Sequence, residues 1–206
     1  KDGSKLWYAT VPKLVYTVTD ENILSVKITV NDKEYDQTIS STGQYKVNLS
    51  GVSDGKVTVK VNAEDKAGNT SSESYTFYLD RKAPVDVKGT VNESFNNLEN
   101  GAFFKKAPTL TLTAEDEGVG VSKYILNNLE RESGSFKLLG GEYTVAVSDI
   151  LGNTTKTMSL ASLLGLKNST IIVDGDAPVV KEESGFGSEY NGDGKEWFSK
   201  VPKLSY

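Results

Sequence analysis

One block of sequence occurs three times. Trp7-Tyr8 followed by Pro12-Lys13-Leu14 returns as Phe103-Phe104 followed by Pro108-Thr109-Leu110. It returns once more as Trp197-Phe198 followed by Pro202-Lys203-Leu204, so the prolines stand 96 and 94 residues apart. Two further echoes keep the same order. Asp65, Gly68, Asn69 and Thr70 reappear as Asp149, Gly152, Asn153 and Thr154, and Leu79-Asp80 with Ala83-Pro84-Val85 reappears as Val173-Asp174 with Ala177-Pro178-Val179. A unit of about 95 residues is the length of an ordinary small domain, so the chain is read as a tandem array and not as one 206-residue fold.

Within each unit the apolar residues alternate with period two. Leu14, Tyr16 and Val18 are matched by Leu110, Leu112 and Ala114; Val57, Val59 and Val61 by Tyr143, Val145 and Val147; Phe77 and Leu79 by Ile171 and Val173. Such alternation places every second side chain on one face of a strand. Gly, Asn, Asp and Ser cluster between the runs, as turns require. About seven short strands per unit predict an all-β chain of tandem immunoglobulin-like β-sandwiches. The Cys…Trp…Cys pattern of antibody domains is absent, because the chain has no Cys.

The boundaries fall after the repeated Asp. Residues 1–82 form the first domain, with its opening strand expected before Lys1; residues 83–176 form the second; residues 177–206 open an incomplete third. Pro84 and Pro178 stiffen the two linkers. The second unit carries an insertion of ten residues, near 157–168: Thr70 to Asp80 is 10 positions and Thr154 to Asp174 is 20. The apolar run inside it is read as a helical turn capping the sandwich. The alternative is an exposed patch that docks a partner through Leu160, Leu163 and Leu164.

Composition narrows the chemistry. Without His and Cys, the usual triads, thiol nucleophiles and zinc ligands are excluded. A net charge of −5 argues against nucleic acid as a partner. No apolar run approaches the ~18 residues of a membrane helix, so no membrane insertion by this segment is expected. Carboxylate pairs such as Glu115/Glu117, Glu130/Glu132 and Glu182/Glu183 have the residue types of a glycosidase. A two-layer sandwich gives them no deep pocket, and the chain is read as non-catalytic. The Asn-x-Ser/Thr matches at Asn48, Asn69, Asn92, Asn153 and Asn168 are read as turn composition.

Acidic turns carry the remaining chemistry. In such a sandwich, the turn after the second strand and the turn before the last lie at one end. Asp116, Glu117, Asp149 and Asn153 would meet there, joined by Asp80 from the linker. Oxygen ligands of this kind suit Ca2+, which needs no His or Cys. The expectation is a calcium site between domains that stiffens a rod. Against it stands plain turn chemistry, with Arg81 and Lys82 close enough in sequence to neutralise the same acids. The recurrent aromatics Trp7, Phe103 and Trp197 are read as packing anchors. The glycan-platform reading assigns contact to Tyr8 or Phe198.

With these motifs assembled, the chain resembles the bacterial immunoglobulin-like repeats of large surface and secreted proteins. The resemblance rests on Phe103 with Pro108-Thr109-Leu110, on Asp116 to Val121, on Tyr143 to Asp149 with Gly152-Asn153, and on Val173-Asp174 with Ala177-Pro178. It implies an extracellular, non-catalytic stalk of an adhesin-like protein, whose partners are neighbouring Ig-like repeats of the same chain. The other reading is a ligand-binding module for a glycan or a host protein, including an accessory module of an extracellular glycosidase. Repetition independently favours the stalk, since a repeated unit extends reach.

Overall fold

The computed structural model describes residues 5–35, 43–180, 189–190 and 197–198. The chain divides into two compact units, Lys1–Val173 and Asp174–Tyr206. The first unit holds two separate hydrophobic cores, so the change of core expected near residue 82 falls inside it.

The first core lies between two sheets. Strands β1 (Trp7–Tyr8), β2 (Val15–Val18), β3 (Ile23–Val30), β4 (Lys33–Tyr35), β5 (Gly43–Lys46), β6 (Gly55–Asp65) and β7 (Thr70–Leu79) follow in order. One sheet runs β1-β7-β6-β3-β4 and the other is β2-β5. Val26, Val57, Val59 and Phe77 are completely buried, and Tyr8, Tyr16 and Val18 pack on them. Fully burying side chains of this kind contributes roughly 1.5–3 kcal/mol each. β1 pairs with β7 in parallel, matching Trp7 with Tyr78. The rings of that pair lie 4.9 Å apart, so Trp7 serves as an anchor.

Around the second core the strands are β8 (Val85–Val91), β9 (Phe95–Leu98), β10 (Gly101–Phe104), β11 (Thr109–Glu115), β12 (Val121–Leu126), β13 (Leu129–Arg131), β14 (Ser135–Lys137), β15 (Thr144–Asp149), β16 (Met158–Ser159) and β17 (Ile171–Val173). They form sheets ordered β17-β10-β9, β14-β11-β8 and β13-β12-β15-β16. β10 pairs with β17 in parallel as β1 does with β7. β8 and β9 have no counterpart among the described residues of the first core. Both halves turn a hairpin on two residues with positive φ, Asn31-Asp32 and Asn127-Asn128. In each, the first Asn side chain accepts the N–H of a Thr in the neighbouring strand at 2.8 Å, from Thr58 and Thr144. Tyr143 Oη donates to Gly140 O and accepts the Leu139 N–H, both at 3.0 Å, which fixes the corner before β15. The first half has buried Val57 at that point.

The insertion folds as a short helix, α1 (Leu160–Leu164), with Ser159 as N-cap and Gly165 as left-handed C-cap. Leu160 is 1 % exposed, and Leu163 and Leu164 pack on the second core. Leu163 covers Gly89 so closely that a Cβ there would lie 2.8 Å from Leu163 Cδ2. The three leucines weighed as a docking patch therefore turn inward. The insertion plugs the core because its apolar spacing matches one helical face.

Beyond Val173, residues 174–180 have no regular secondary structure, and the two-residue strands β18 (Glu189–Tyr190) and β19 (Trp197–Phe198) pair antiparallel. The rest of the third opening, including Glu182, Glu183 and Pro202, lies outside the described residues, as do the side chains of Trp197 and Phe198. No helix among the described residues is long and apolar enough to cross a membrane.

Candidate functional site

The most unusual chemistry lies where the linker leaves β7. Asp80 is 4 % exposed and its two ends are held by different cores. Its N–H donates to Tyr8 O at 3.0 Å, in the first. Its Oδ2 accepts the N–H of Val119 at 2.9 Å, in the second, and Oδ1 accepts the Lys82 N–H at 3.3 Å. The Asp80 carbonyl accepts Asn153 Nδ2 at 2.9 Å.

Each loop that receives Asp80 follows from its sequence. Asp116 Oδ1 accepts the Gly120 N–H and closes the turn over Glu117, Gly118 and Val119. Gly120 takes φ +91°, which a side chain disfavours. Gly118 is required for another reason: a Cβ there would lie 1.8 Å from Asp80 Oδ2. Val119 is buried beneath, and its N–H donates to the carboxylate from the core side. The second loop is an Asx cage in which Asp149 accepts the Asn153 N–H at 2.8 Å and Asn153 Nδ2 at 2.7 Å. Asn153 thus clamps the linker to the cage through one amide nitrogen.

The arrangement concentrates negative charge. Carboxylate oxygens of Asp80, Asp116 and Asp149 all lie within 4.8 Å of one another, and Asp149 is 2 % exposed. At an effective dielectric of about 20, each such pair repels by roughly 3 kcal/mol. Arg81 is engaged elsewhere, its Nε 2.6 Å from Asp54 Oδ1 and its Nη2 donating to Val52 O at 2.8 Å, whereas Lys82 lines one cleft with Asp80 and Asp116. Three convergent carboxylates with nearby carbonyls are the donor set of a hard divalent cation. Of the five residues expected as ligands, the structure groups Asp80, Asp116 and Asp149. Asn153 stands beside them as a donor. Glu117 is exposed, at the rim of an adjoining cleft of about 370 Å³ that Trp7, Lys82 and Glu115 also line.

Gly118 and Val119 were not among the expected site residues. Their signal was an apolar residue between two glycines in an otherwise acidic turn. The glycosidase-type pairs are split between surfaces: Glu130 pairs with Lys123 on an exposed strand, and Glu115 and Glu117 flank the cleft. Asn48 and Asn168 accept the N–H groups of Ser50 and Thr170, as turn residues do, and Asn92 accepts the Thr109 N–H across strands. Tyr8 Oη bonds Tyr75 Oη at 3.2 Å in a part-buried site.

The first half repeats the Asx cage without the seat. Asp65 accepts the N–H groups of Ala67 and Asn69 at 2.8 Å and Asn69 Nδ2 at 2.7 Å. The Asn69 side chain, followed by its backbone N–H, holds the Asp65 carboxyl below the ordinary 3.8. Asp20 Oδ1 accepts the Asn22 N–H at 2.6 Å.

Residues 5–81 match the family model of the bacterial Ig-like domain. No curated protein matches the chain. Among solved structures, the chain is similar to the fibronectin(III)-like modules of CbhA from Clostridium thermocellum, at 14 % identity over 84 % of this chain and 92 % of that one, with a TM-score of 0.35. It is also similar to SGBP-B of the Bacteroides ovatus mixed-linkage glucan utilization locus, solved with a mixed-linkage heptasaccharide. That match has 12 % identity over 77 % of this chain and 44 % of that one, with a TM-score of 0.29. At these scores neither structure bears on function.

Proposed function

We propose that this chain is a spacer segment of a bacterial surface or secreted protein, and that its work is to hold neighbouring Ig-like units at a fixed angle. The observation that carries this reading is the seating of Asp80. Its backbone belongs to the first core, its carboxylate is bound by the second, and that carboxylate leaves no room at position 118 for anything larger than hydrogen. A flexible linker would leave such a residue in water. Burying a carboxylate is costly without compensating hydrogen bonds, so a seat of this kind restricts the joint to a narrow range of angles.

The same reading assigns Ca2+ to Asp80, Asp116 and Asp149. A divalent ion there would offset the mutual repulsion of the three carboxylates and tie the linker to both acidic turns. The chain's own residues supply the rest: Val119 N–H and Asn153 Nδ2 orient Asp80, and buried Val119 keeps water from one side.

Small-angle scattering on the full chain, in millimolar Ca2+ and then in chelator, tests both parts. An extended particle that loosens on chelation supports the calcium-locked joint. Profiles that coincide, with equal melting temperatures, remove the ion and leave the seat. A particle that samples all angles in both conditions refutes the spacer reading. Ligand occupying the site stabilises by about 2.7 kcal/mol at a hundred times its Kd, so a real site shifts melting measurably. Asp149→Asn should abolish that shift, whereas Asp65→Asn should leave it intact.

A further inference from the structure

β2 and β11 each follow the repeated proline, yet they have different neighbours. β11 lies between β14 and β8, whereas β2 has β5 on one side and, among the described residues, no strand on the other. Hydrogen bonding fixes which groups that leaves over. Leu14 O accepts the Val47 N–H at 3.0 Å, so by alternation the N–H and C=O groups of Val15 and Thr17 point away from β5. In the second half Pro108 O accepts the Leu138 N–H at 2.9 Å in the same way, and there the outward groups are used. Thr109 O accepts the Asn92 N–H at 3.3 Å, and β8 pairs with β11 from Val91 back to Val85.

The side chains repeat the difference. Leu110 and Leu112, beside β8, are 0 % and 2 % exposed, and Val87 and Val91 of β8 pack on their core. Tyr16 and Val18 of β2 are only half-buried, and a cleft of about 310 Å³ with Val61 and Ala63 in its wall stands open beside them. The edge is also unguarded. Val15-Tyr16-Thr17-Val18 has no charge, proline or bulge, which are devices that keep a free edge from pairing.

We propose that β2 is an acceptor edge for an extended strand from beyond the described residues, and that its occupant is the opening strand of another Ig-like repeat. β8 defines the chemistry: a strand of seven residues, antiparallel to its acceptor, with side chains at alternate positions closing the core. One position should differ from β8. Gly89 is kept small by Leu163 of α1, and the first half has no helix among the described residues. A larger apolar residue at that position therefore suits β2 better than glycine. The inference depends neither on the seat at Asp80 nor on an ion there.

Titration of the 15N-labelled full chain with a synthetic peptide of residues 83–91, followed by NMR and amide exchange, tests the edge. The expected result is a saturable shift at 15–18 and 61–63, with the Val15 and Thr17 N–H groups newly protected. A peptide carrying Gly89→Leu should bind about tenfold more tightly, the scale of partly burying one leucine. In β8 the N–H groups of Lys88 and Thr90 face β11. N-methylation of the peptide at those two residues should abolish binding, and N-methylation at Val87, which faces away, should leave it unchanged. In the chain, Thr17→Pro removes only an outward N–H and should abolish binding while the spectrum stays that of a folded protein. Equal binding of the two methylated peptides, no gain from Gly89→Leu, shifts confined to the opposite edge at β4, or no saturable response would each overturn the proposal.

Discussion

The two acidic turns start from nearly the same sequence and end differently. From Asp20 to Val30 and from Asp116 to Leu126 the chain has equal length, yet β3 and β6 make seven paired positions and β12 and β15 make five. The strand that ends at Asp65 is longer than the one that ends at Asp149. Where the partner strand is shorter, two residues of the preceding segment cannot pair and pass into the turn. They lengthen it into the Gly118-Val119-Gly120 loop that receives Asp80. In the first half those residues stay in the ladder, and a polar mouth of about 310 Å³ opens between β2 and the β6–β7 hairpin. One exchange between ladder and loop separates a seat for a carboxylate from a mouth lined with carboxylates.

Four substitutions sharpen or break this contrast. The largest effect is expected for Leu160→Ala, which empties the plug that only the second core has. It should cost about 3 kcal/mol in chemical denaturation and leave the first core's NMR spectrum unchanged. Next is Gly118→Ala. Its methyl group would displace the Asp80 carboxylate and leave the buried Val119 N–H unpaired, costing about 2 kcal/mol and widening the angular distribution seen by scattering. An unaltered distribution would show that the seat does not set the joint. The smallest effect comes from paired changes in the cages. Asn153→Ala removes both the clamp on Asp80 O and a bond to Asp149, and should cost about 1 kcal/mol. Asn69→Ala removes only local bonds and should shift melting less.

The Asn69 variant also has a pH signature. The folded Asp65 carboxyl titrates below its ordinary value. Its contribution to stability is therefore complete above 3.8 and is lost as pH falls through the lower, folded value. Removing the Asn69 amide should raise the Asp65 pKa toward 3.8, read by NMR titration, and make stability less sensitive to acid below that point. An unmoved Asp65 pKa would assign the shift to the backbone N–H groups.

Much of this was legible before any coordinates. Alternation named the buried faces because period two is a property of the extended backbone. The repeated Asp-x-x-x-Asn turns announced their own cages, since every bond in them is local. Asp80, Asp116 and Asp149 could be assigned to one end from strand order. Two features were not legible. Glu73 is exposed as its charge suggests, and only pairing with Val61 places it on the core-facing side of β7. The leucines of α1 look like either a plug or a patch, and only contact with Gly89 and the core decides between them.

The sequence by itself determined the extended backbone, the turns and the acidic character of one end, because φ/ψ preference and side-chain alternation act over a few residues. Tertiary structure decided how many residues each ladder keeps. That number depends on the length of a partner strand distant in the chain, and it alone converts the same acidic turn into a seat or into an open mouth.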